Sequence, residues 1–307
     1  MNSDILAEWM LRRGYSVIHT SSSYWMNAGP RVYQAFPYHW EINPSDMEIE
    51  RLLVDYRAIA IRFSMPQHAN VGSPSYHVVC DQSHYGYGIL AKKARHDIEK
   101  GLSVAIIEPI SFQRLATHGW GLRRETLIRQ SRQQAESEEW WRKLCLSADG
   151  LQGFEAWGAL IDNKLVASLL GFTCDEFFSI LYQQSLTEYL PYSVNNALAY
   201  VVTSEVLRRP SHPKLFYGLH SLDAPSSVDN FKFRMGYRAK PVRQRVEFHP
   251  LLRPFVNPIS HSVLNAGRRV FPMNATLSKT EGIVRLFLEN QLAISSQKIP
   301  DSLLNSF

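Results

Sequence analysis

The sequence predicts an α/β (α+β) protein in which mixed sheets are flanked by helices. Three observations carry this. Two apolar runs of strand length, Phe154 to Ile161 and Lys164 to Phe172, meet at Asp162-Asn163, a residue pair suited to a tight hairpin turn. From there to Phe248 strand-like and helical patterns follow one another in the order ββ-β-α-β-α-β. The 307-residue chain is 45% hydrophobic and 20% charged, a globular profile too apolar for disorder.

Taken in order, Arg57 to Ser64 alternates as a strand, and Tyr76 to Asp81 is a second one after the polar loop from Pro66 to Pro74. Gly88 to Leu102 places Ile89, Leu90, Ala94 and Ile98 near one face, with Arg and Lys on the other. It reads as an amphipathic helix closed by Gly101. Ser103 to Ser111 then reads as a buried strand. Arg123 to Ala148 is helical, with Trp140 and Trp141 turned inward. Beyond the hairpin, Phe177 to Gln184 is a strand, Asn195 to Arg208 a helix ended by Pro210, and Lys214 to Ser221 a strand. Ser226 to Met235 is a short helix and Lys240 to Phe248 the last strand. Prolines at 250, 254 and 258 precede two tail helices. The expected segments are 1–115, 116–250 and a helical tail over 251–307. The aromatics near the start (Tyr24, Trp25, Tyr33, Phe36, Tyr38, Trp40) pack the first lobe.

Composition excludes several classes. No run approaches ~20 uninterrupted apolar residues, so no membrane-spanning helix is expected. The first residues carry acids before Arg12-Arg13 and lack the apolar centre of a secretory leader, which points to a cytoplasmic protein. Cys80, Cys145 and Cys174 are odd in number, and none forms a CxxC pair or has His at zinc spacing. They read as small hydrophobes in a reducing compartment, with no metal and no disulfide. A formal charge of +5 suits anionic partners, but the cations are scattered in pairs and do not choose between a phosphate-bearing cofactor and nucleic acid.

Four successive pieces resemble the GNAT acyltransferases. They are the hairpin WGALIDNKLVASLLGF, the strand FFSILYQQS, the helix VNNALAYVVTSEVLRR and the closing FYGLHSLDAPSSVDNFKFRMGY. The Phe231-Lys232 pair, together with AKKARHDIEKGLSVAIIE upstream, resembles the Fem-like branch. That branch implies two tandem GNAT-like domains, here an N-terminal half and a C-terminal domain bearing the motifs. The resemblance spans roughly residues 55 to 245. Where acyl-CoA-binding members carry a glycine-rich pyrophosphate turn, this chain has SLTEYLPYSVNNAL, without glycine. The expected donor contacts are therefore Ser193, Val194, Asn195 and Asn196 at a helix N-terminus, whose open amides and dipole favour phosphate, joined by Gln184 and Phe231. Where many GNATs carry an acidic tyrosine, five residues before the aromatic of the closing turn, this chain has Lys232. A lysine there neutralises developing negative charge or grips a phosphate.

The residues expected to carry chemistry are Lys232, His220 and Glu155. His220 is a candidate base because its ordinary pKa is near neutrality, and Glu155 is a second one at the hairpin's entry. Tyr217 and His220, three apart on one strand, point to opposite faces. Either Tyr182 with Gln184 or Leu181 with Gln183 faces the cleft. Asp223 caps or starts a turn, and Arg95 and Arg129 are candidate contacts for an anion.

The resemblance implies transfer of an acyl or aminoacyl group from an activated donor, acyl-CoA first, onto an amine, with no metal. The acceptor is a small molecule or a cell-envelope precursor. Two rivals stand beside this: an aminoacyl-tRNA-dependent transferase, and a catalytically silent GNAT-like binding module.

Overall fold

The computed structural model describes residues 2–130, 136–211, 213–221, 226–271 and 274–304. Helix α1 (Ser3–Arg12) opens the chain, followed by β1 (Val17–His19), β2 (Tyr24–Gly29), β3 (Val32–Phe36), α2 (Asp46–Val54), β4 (Ala60–Met65) and β5 (Ser73–Cys80). The middle of the chain forms α3 (Lys92–Leu102), β6 (Ile106–Pro109), α4 (Phe112–His118), α5 (Trp120–Arg129), α6 (Glu138–Leu146), β7 (Phe154–Ile161), β8 (Lys164–Cys174) and β9 (Phe177–Ser185). Then come α7 (Val194–Leu207), β10 (Lys214–Leu219), α8 (Ser226–Arg234), β11 (Arg238–Phe248), α9 (Pro258–Val270), α10 (Ala275–Asn290) and α11 (Asp301–Leu304).

These elements form two compact units, each drawn from separate stretches of chain. Unit 1 comprises Met1–Arg13, Val78–Gly218 and Pro225–Arg238; unit 2 comprises Gly14–His77, Leu219–Ala224 and Ala239–Phe307. The segments expected from the sequence are contiguous, and these units are not. In particular, α3 and β6 belong to unit 1, together with the hairpin and helices that follow them.

In unit 1 the strand order is β6-β7-β8-β9-β10, antiparallel up to β9 and parallel between β9 and β10. The β7–β8 hairpin turns where expected. Asp162 and Asn163 both adopt positive φ (48° and 64°), the pair of left-handed residues that a twisted hairpin demands and that Asp and Asn tolerate best. Strand β6 departs from the buried strand expected. It is an edge strand, and Ile106 is 69% exposed. Helix α1 closes the unit from the far end of the sequence: Trp9 is fully buried, stacks near Phe154 at 5.0 Å and donates its indole N–H to the Leu144 carbonyl. Of the two tryptophans on α6, Trp141 is fully buried and Trp140 partly so.

Gly101 lies inside the last turn of α3. A Cβ there would stand 2.7 Å from both Ala197 Cβ and the Ser193 carbonyl oxygen, so its missing side chain lets α3 lie against the start of α7.

In unit 2 the order is β1-β2-β3-β4-β11. Strands β3 and β4 are parallel and linked through α2, and β4 pairs antiparallel with β11. Trp25, Phe36, Leu52, Ile61, Phe63 and Met65 are buried in this unit, as expected for its early aromatics. The apolar run in the tail also docks here: Val284, Leu286 and Phe287 of α10 pack with Ala60, Val246 and Phe248. Among the described residues no helix is long and apolar enough to cross a membrane. Cys80, Cys145 and Cys174 are buried free thiols.

Candidate functional site

The candidate site of unit 1 begins with a backbone fact. Strands β9 and β10 pair in parallel over Lys214↔Phe177, Leu215↔Phe178 and Phe216↔Ser179, and the ladder ends there. On its other edge β9 stays paired with β8 as far as Ser185, with a bulge where Gly171 faces Ile180 and Leu170 faces Tyr182, leaving Leu181 as the extra residue. From Ile180 to Gln184 β9 thus turns an edge of backbone N–H and C=O groups toward the gap between the strands, while the Ser185 backbone is bonded to Thr126 and Arg129. Such groups are obligatory hydrogen-bonding partners for whatever enters.

Side chains from four elements gather at this gap. The Tyr217 hydroxyl on β10 donates to Gln183 Oε1 on β9, and Gln183 Nε2 donates to the Asn195 carbonyl in the first turn of α7, at 3.2 Å. Lys232 Nζ on α8 lies 5.0 Å from the centre of the Tyr217 ring and donates to Asp229 Oδ1 at 2.7 Å. Lys232 is 8% exposed, so its ammonium is a desolvated, paired charge and not a solvated surface lysine. Burial pushes the Tyr217 phenol well above its ordinary pKa, so it stays neutral and is a weaker acid than a free phenol. Tyr237, in the closing Gly-aromatic turn, meets Tyr217 edge-on at 5.2 Å and shares a 2.6 Å hydrogen bond with Thr203 of α7. Gly236 provides the positive φ (82°) of that turn.

At the end of β9 a second group converges on Ser185. Asn195 Nδ2 donates to Ser185 Oγ at 2.9 Å, and the Arg129 guanidinium donates to the same oxygen at 3.2 Å and to the Ser185 carbonyl at 3.0 Å. Ser193 starts α7 in a left-handed conformation (φ 60°), and its carbonyl accepts from the Asn196 and Ala197 amides. Asn195 Oδ1 and Gln184 Oε1 are buried acceptors without a partner among the described residues. Acceptors of this kind suit an incoming N–H and not a phosphate. The turn therefore lacks the all-donor lining of a pyrophosphate cradle, and Arg129 and Lys164 are cations bonded to it. Leu186, next in sequence, lines an open cleft of about 840 Å³ in this unit, together with Ser111, Arg114, His118, Asn163 and Lys164.

The structure thus brings Lys232 together with Asn195 through Tyr217 and Gln183. Val194 is fully buried and serves packing; Phe231 is partly buried on α8 beside Lys232. Gln184 is buried, its amide donating to Ser168 Oγ at 3.3 Å. It is Gln183 that turns toward α7 and β10, whereas Tyr182 on the other face accepts from Arg13 at 3.1 Å. Glu155 receives both arms of the Arg209 guanidinium at 2.6 and 2.7 Å and the Trp157 indole N–H at 3.1 Å, an environment that holds an anion in place. His220 belongs to unit 2, where its ring stacks on Tyr76 at 4.3 Å and Nδ1 lies 3.4 Å from Ser75 Oγ. Arg95 is exposed on α3, and Asp223 lies outside the described residues. Sequence reasoning did not single out Asp229, although its i,i+3 spacing from Lys232 on a helix was a usable signal. The Tyr217–Gln183 contact, 34 residues apart, carried none.

No protein-family profile matches the sequence, and no curated protein matches it. Solved structures do. FemX is similar over 81% of this chain and 92% of its own, at 9% identity and a TM-score of 0.53. A conserved protein of unknown function from Bacteroides thetaiotaomicron is similar over 80% and 90%, at 11% identity and a TM-score of 0.51. A tandem GNAT protein from the clavulanic acid biosynthesis pathway shares 10% identity over 81% and 88%, at a TM-score of 0.47. The parallel pair that parts after three residues, the bulged strand and the helix facing the gap define a GNAT-like fold. Among such folds, that of FemX is similar to this chain's.

Proposed function

We propose that the protein transfers an acyl or aminoacyl group from an activated donor to an amine at the opening between β9 and β10. The observation that carries this reading is the early end of the β9–β10 ladder beside a buried Lys232 whose Nζ lies 5.0 Å from the Tyr217 ring centre. A donor carbonyl group accepting from the β9 edge beyond Ser179 is polarised where negative charge develops. The amine nitrogen attacks the carbonyl carbon, an amide C–N bond forms, and the thioester C–S or ester C–O bond breaks. The surplus amine proton passes to solvent, and the leaving thiolate or alkoxide takes one up. Lys232, held by Asp229, offsets the charge on that leaving group, and the Tyr217 hydroxyl, bonded to Gln183, holds β9 in place beside it. Most of the acceleration comes from positioning.

Acyl-CoA and aminoacyl-tRNA both supply such a donor. The absence of a glycine turn and the buried acceptors on Asn195 and Gln184 favour one whose recognition does not depend on a pyrophosphate cradle. The Phe231-Lys232 pair, which resembles the Fem-like branch, is the reason an aminoacyl donor stands beside acyl-CoA. The experiment is thermal unfolding of the protein with acyl-CoAs, free CoA and aminoacyl-tRNA. A donor at ~100 times its Kd adds ~2.7 kcal/mol, enough to raise the midpoint by several degrees. A rise with one donor that disappears in Lys232→Met identifies it. No rise with any of them would overturn the transferase reading in favour of a silent binding module.

A further inference from the structure

Unit 2 carries an amphipathic face that its own packing does not use. On α9, residues Ile259, Val263 and Val270 recur at 4 and 7 positions and fall within about 40° of one another at 100° per residue. The chain entering the helix adds two more exposed apolar side chains, Leu251 and Phe255. All five side chains are between 67% and 76% exposed. The opposite face of α9 is the one that packs. Leu264 lies against the cluster containing Val246 and Phe287, while His261 and Arg268 reach Glu281 of α10 at 2.9 and 3.3 Å. Asn257 fixes the start of the helix with a capping box, so α9 is built to stand as a helix at this surface.

The charge around the row is one-sided. Residues 248 to 280 contain no Asp or Glu. From 245 to 285 there are six Arg and Lys against two Glu, a local charge of +4 in a chain whose formal total is +5. Both glutamates are already committed, Glu247 to Arg245 and Arg253, and Glu281 to His261, Arg268 and Arg285. Arg269 is exposed about 80° around the helix from Ile259 and adds positive charge at the row's border, and Lys279 on α10 is exposed as well.

We infer that α9 and the residues leading into it lay the protein on an anionic lipid surface. Large aliphatic and phenyl groups enter the acyl boundary, and the flanking cations meet lipid phosphates. Charge complementarity selects the occupant. A nucleic acid would use the cations but has no place for five exposed apolar side chains, and a second copy of this cationic face would repel the first. The inference is independent of the transfer reaction.

The test is co-sedimentation of the full chain with phosphatidylcholine vesicles and with vesicles of equal parts phosphatidylcholine and phosphatidylglycerol, at low and at physiological salt. The expected result is partitioning at least tenfold stronger onto the anionic vesicles, weakened by salt. A further tenfold loss is expected in Ile259→Asp/Val263→Asp, with a smaller loss in Arg269→Glu. These positions are exposed, so an unchanged unfolding midpoint of the variants shows that the fold survives. Equal weak binding to both vesicle types would overturn the inference, as would anionic binding that the Asp pair leaves unchanged. Concentration-dependent dimerisation abolished by the same pair, or tRNA retention lost with it, would assign the face to another partner and likewise overturn it.

Discussion

The hydroxyl of Tyr217 on β10 donates to Oε1 of Gln183 on β9, and so joins two strands whose backbone ladder has already ended at Phe216 and Ser179. A side-chain bond therefore joins the two strands beyond the point where their main-chain ladder ends. Through Gln183 Nε2 the same residue ties α7 to the opening.

Tyr217→Phe removes the donor and leaves Gln183 Oε1 without it. A buried acceptor stripped of its partner costs about 1–3 kcal/mol. Urea unfolding should show a loss in that range. Gln183→Leu with Tyr217→Phe should recover part of it, because both polar groups are then gone. A single variant as stable as the parent would mean that the bond is not formed in solution.

Lys232 and Asp229 form a buried pair, so removing one partner strands the other charge. Lys232→Met is expected to lose about 3–5 kcal/mol and Lys232→Met/Asp229→Asn much less. Transfer should be lost in both. If the double variant recovered turnover along with stability, Lys232 would be a structural residue and nothing more.

Glu155 is expected to matter for stability and little for turnover. Its pair with Arg209 is part-exposed, so Glu155→Gln should cost about 1 kcal/mol. A fall in kcat of a hundredfold or more at unchanged stability would restore it as the base.

His77 of unit 2 sets an acid limit. Burial, reinforced by the Lys240 and Arg62 cations, lowers its pKa from 6.5 to about 3, and its ring is bonded to Ser64 Oγ at 2.8 Å. The folded state thus holds the neutral ring while the unfolded chain protonates below pH 6.5. The stabilisation is complete above pH 6.5 and is lost as the pH falls toward 3, by about 1.4 kcal/mol per pH unit. Denaturant midpoints measured across that window in the parent and in His77→Gln should converge as the pH drops. Parallel curves would refute the assignment.

The three thiols should be silent to a thiol reagent until the protein unfolds. Burial pushes Cys80 up to about 11 and Cys174 up to about 12, and raises Cys145 as well. Rapid labelling of any of them in native buffer would contradict the packing.

What the sequence determined by itself was local. Strand β7 begins and ends where its apolar run does. The Asp162-Asn163 turn follows from two residues that accept positive φ, and the helix Val194–Leu207 and the short helix bearing Lys232 follow from their periods. Helix α4 and the N-terminal strands left no such mark, being short or irregular in pattern. Tertiary structure alone decided the rest. Arg209 reaches back 54 residues to occupy Glu155, Gln183 and not Gln184 faces α7, and His220 falls in the other unit from Lys232. The bulge at Leu181 lies on β9 between that strand's parallel ladder and Gln183, and nothing in residue spacing announces it. The physical reason is range. Turn chemistry and periodicity act over a few residues, whereas which polar groups end up paired depends on which distant elements pack together. A buried polar group takes whichever partner that packing supplies.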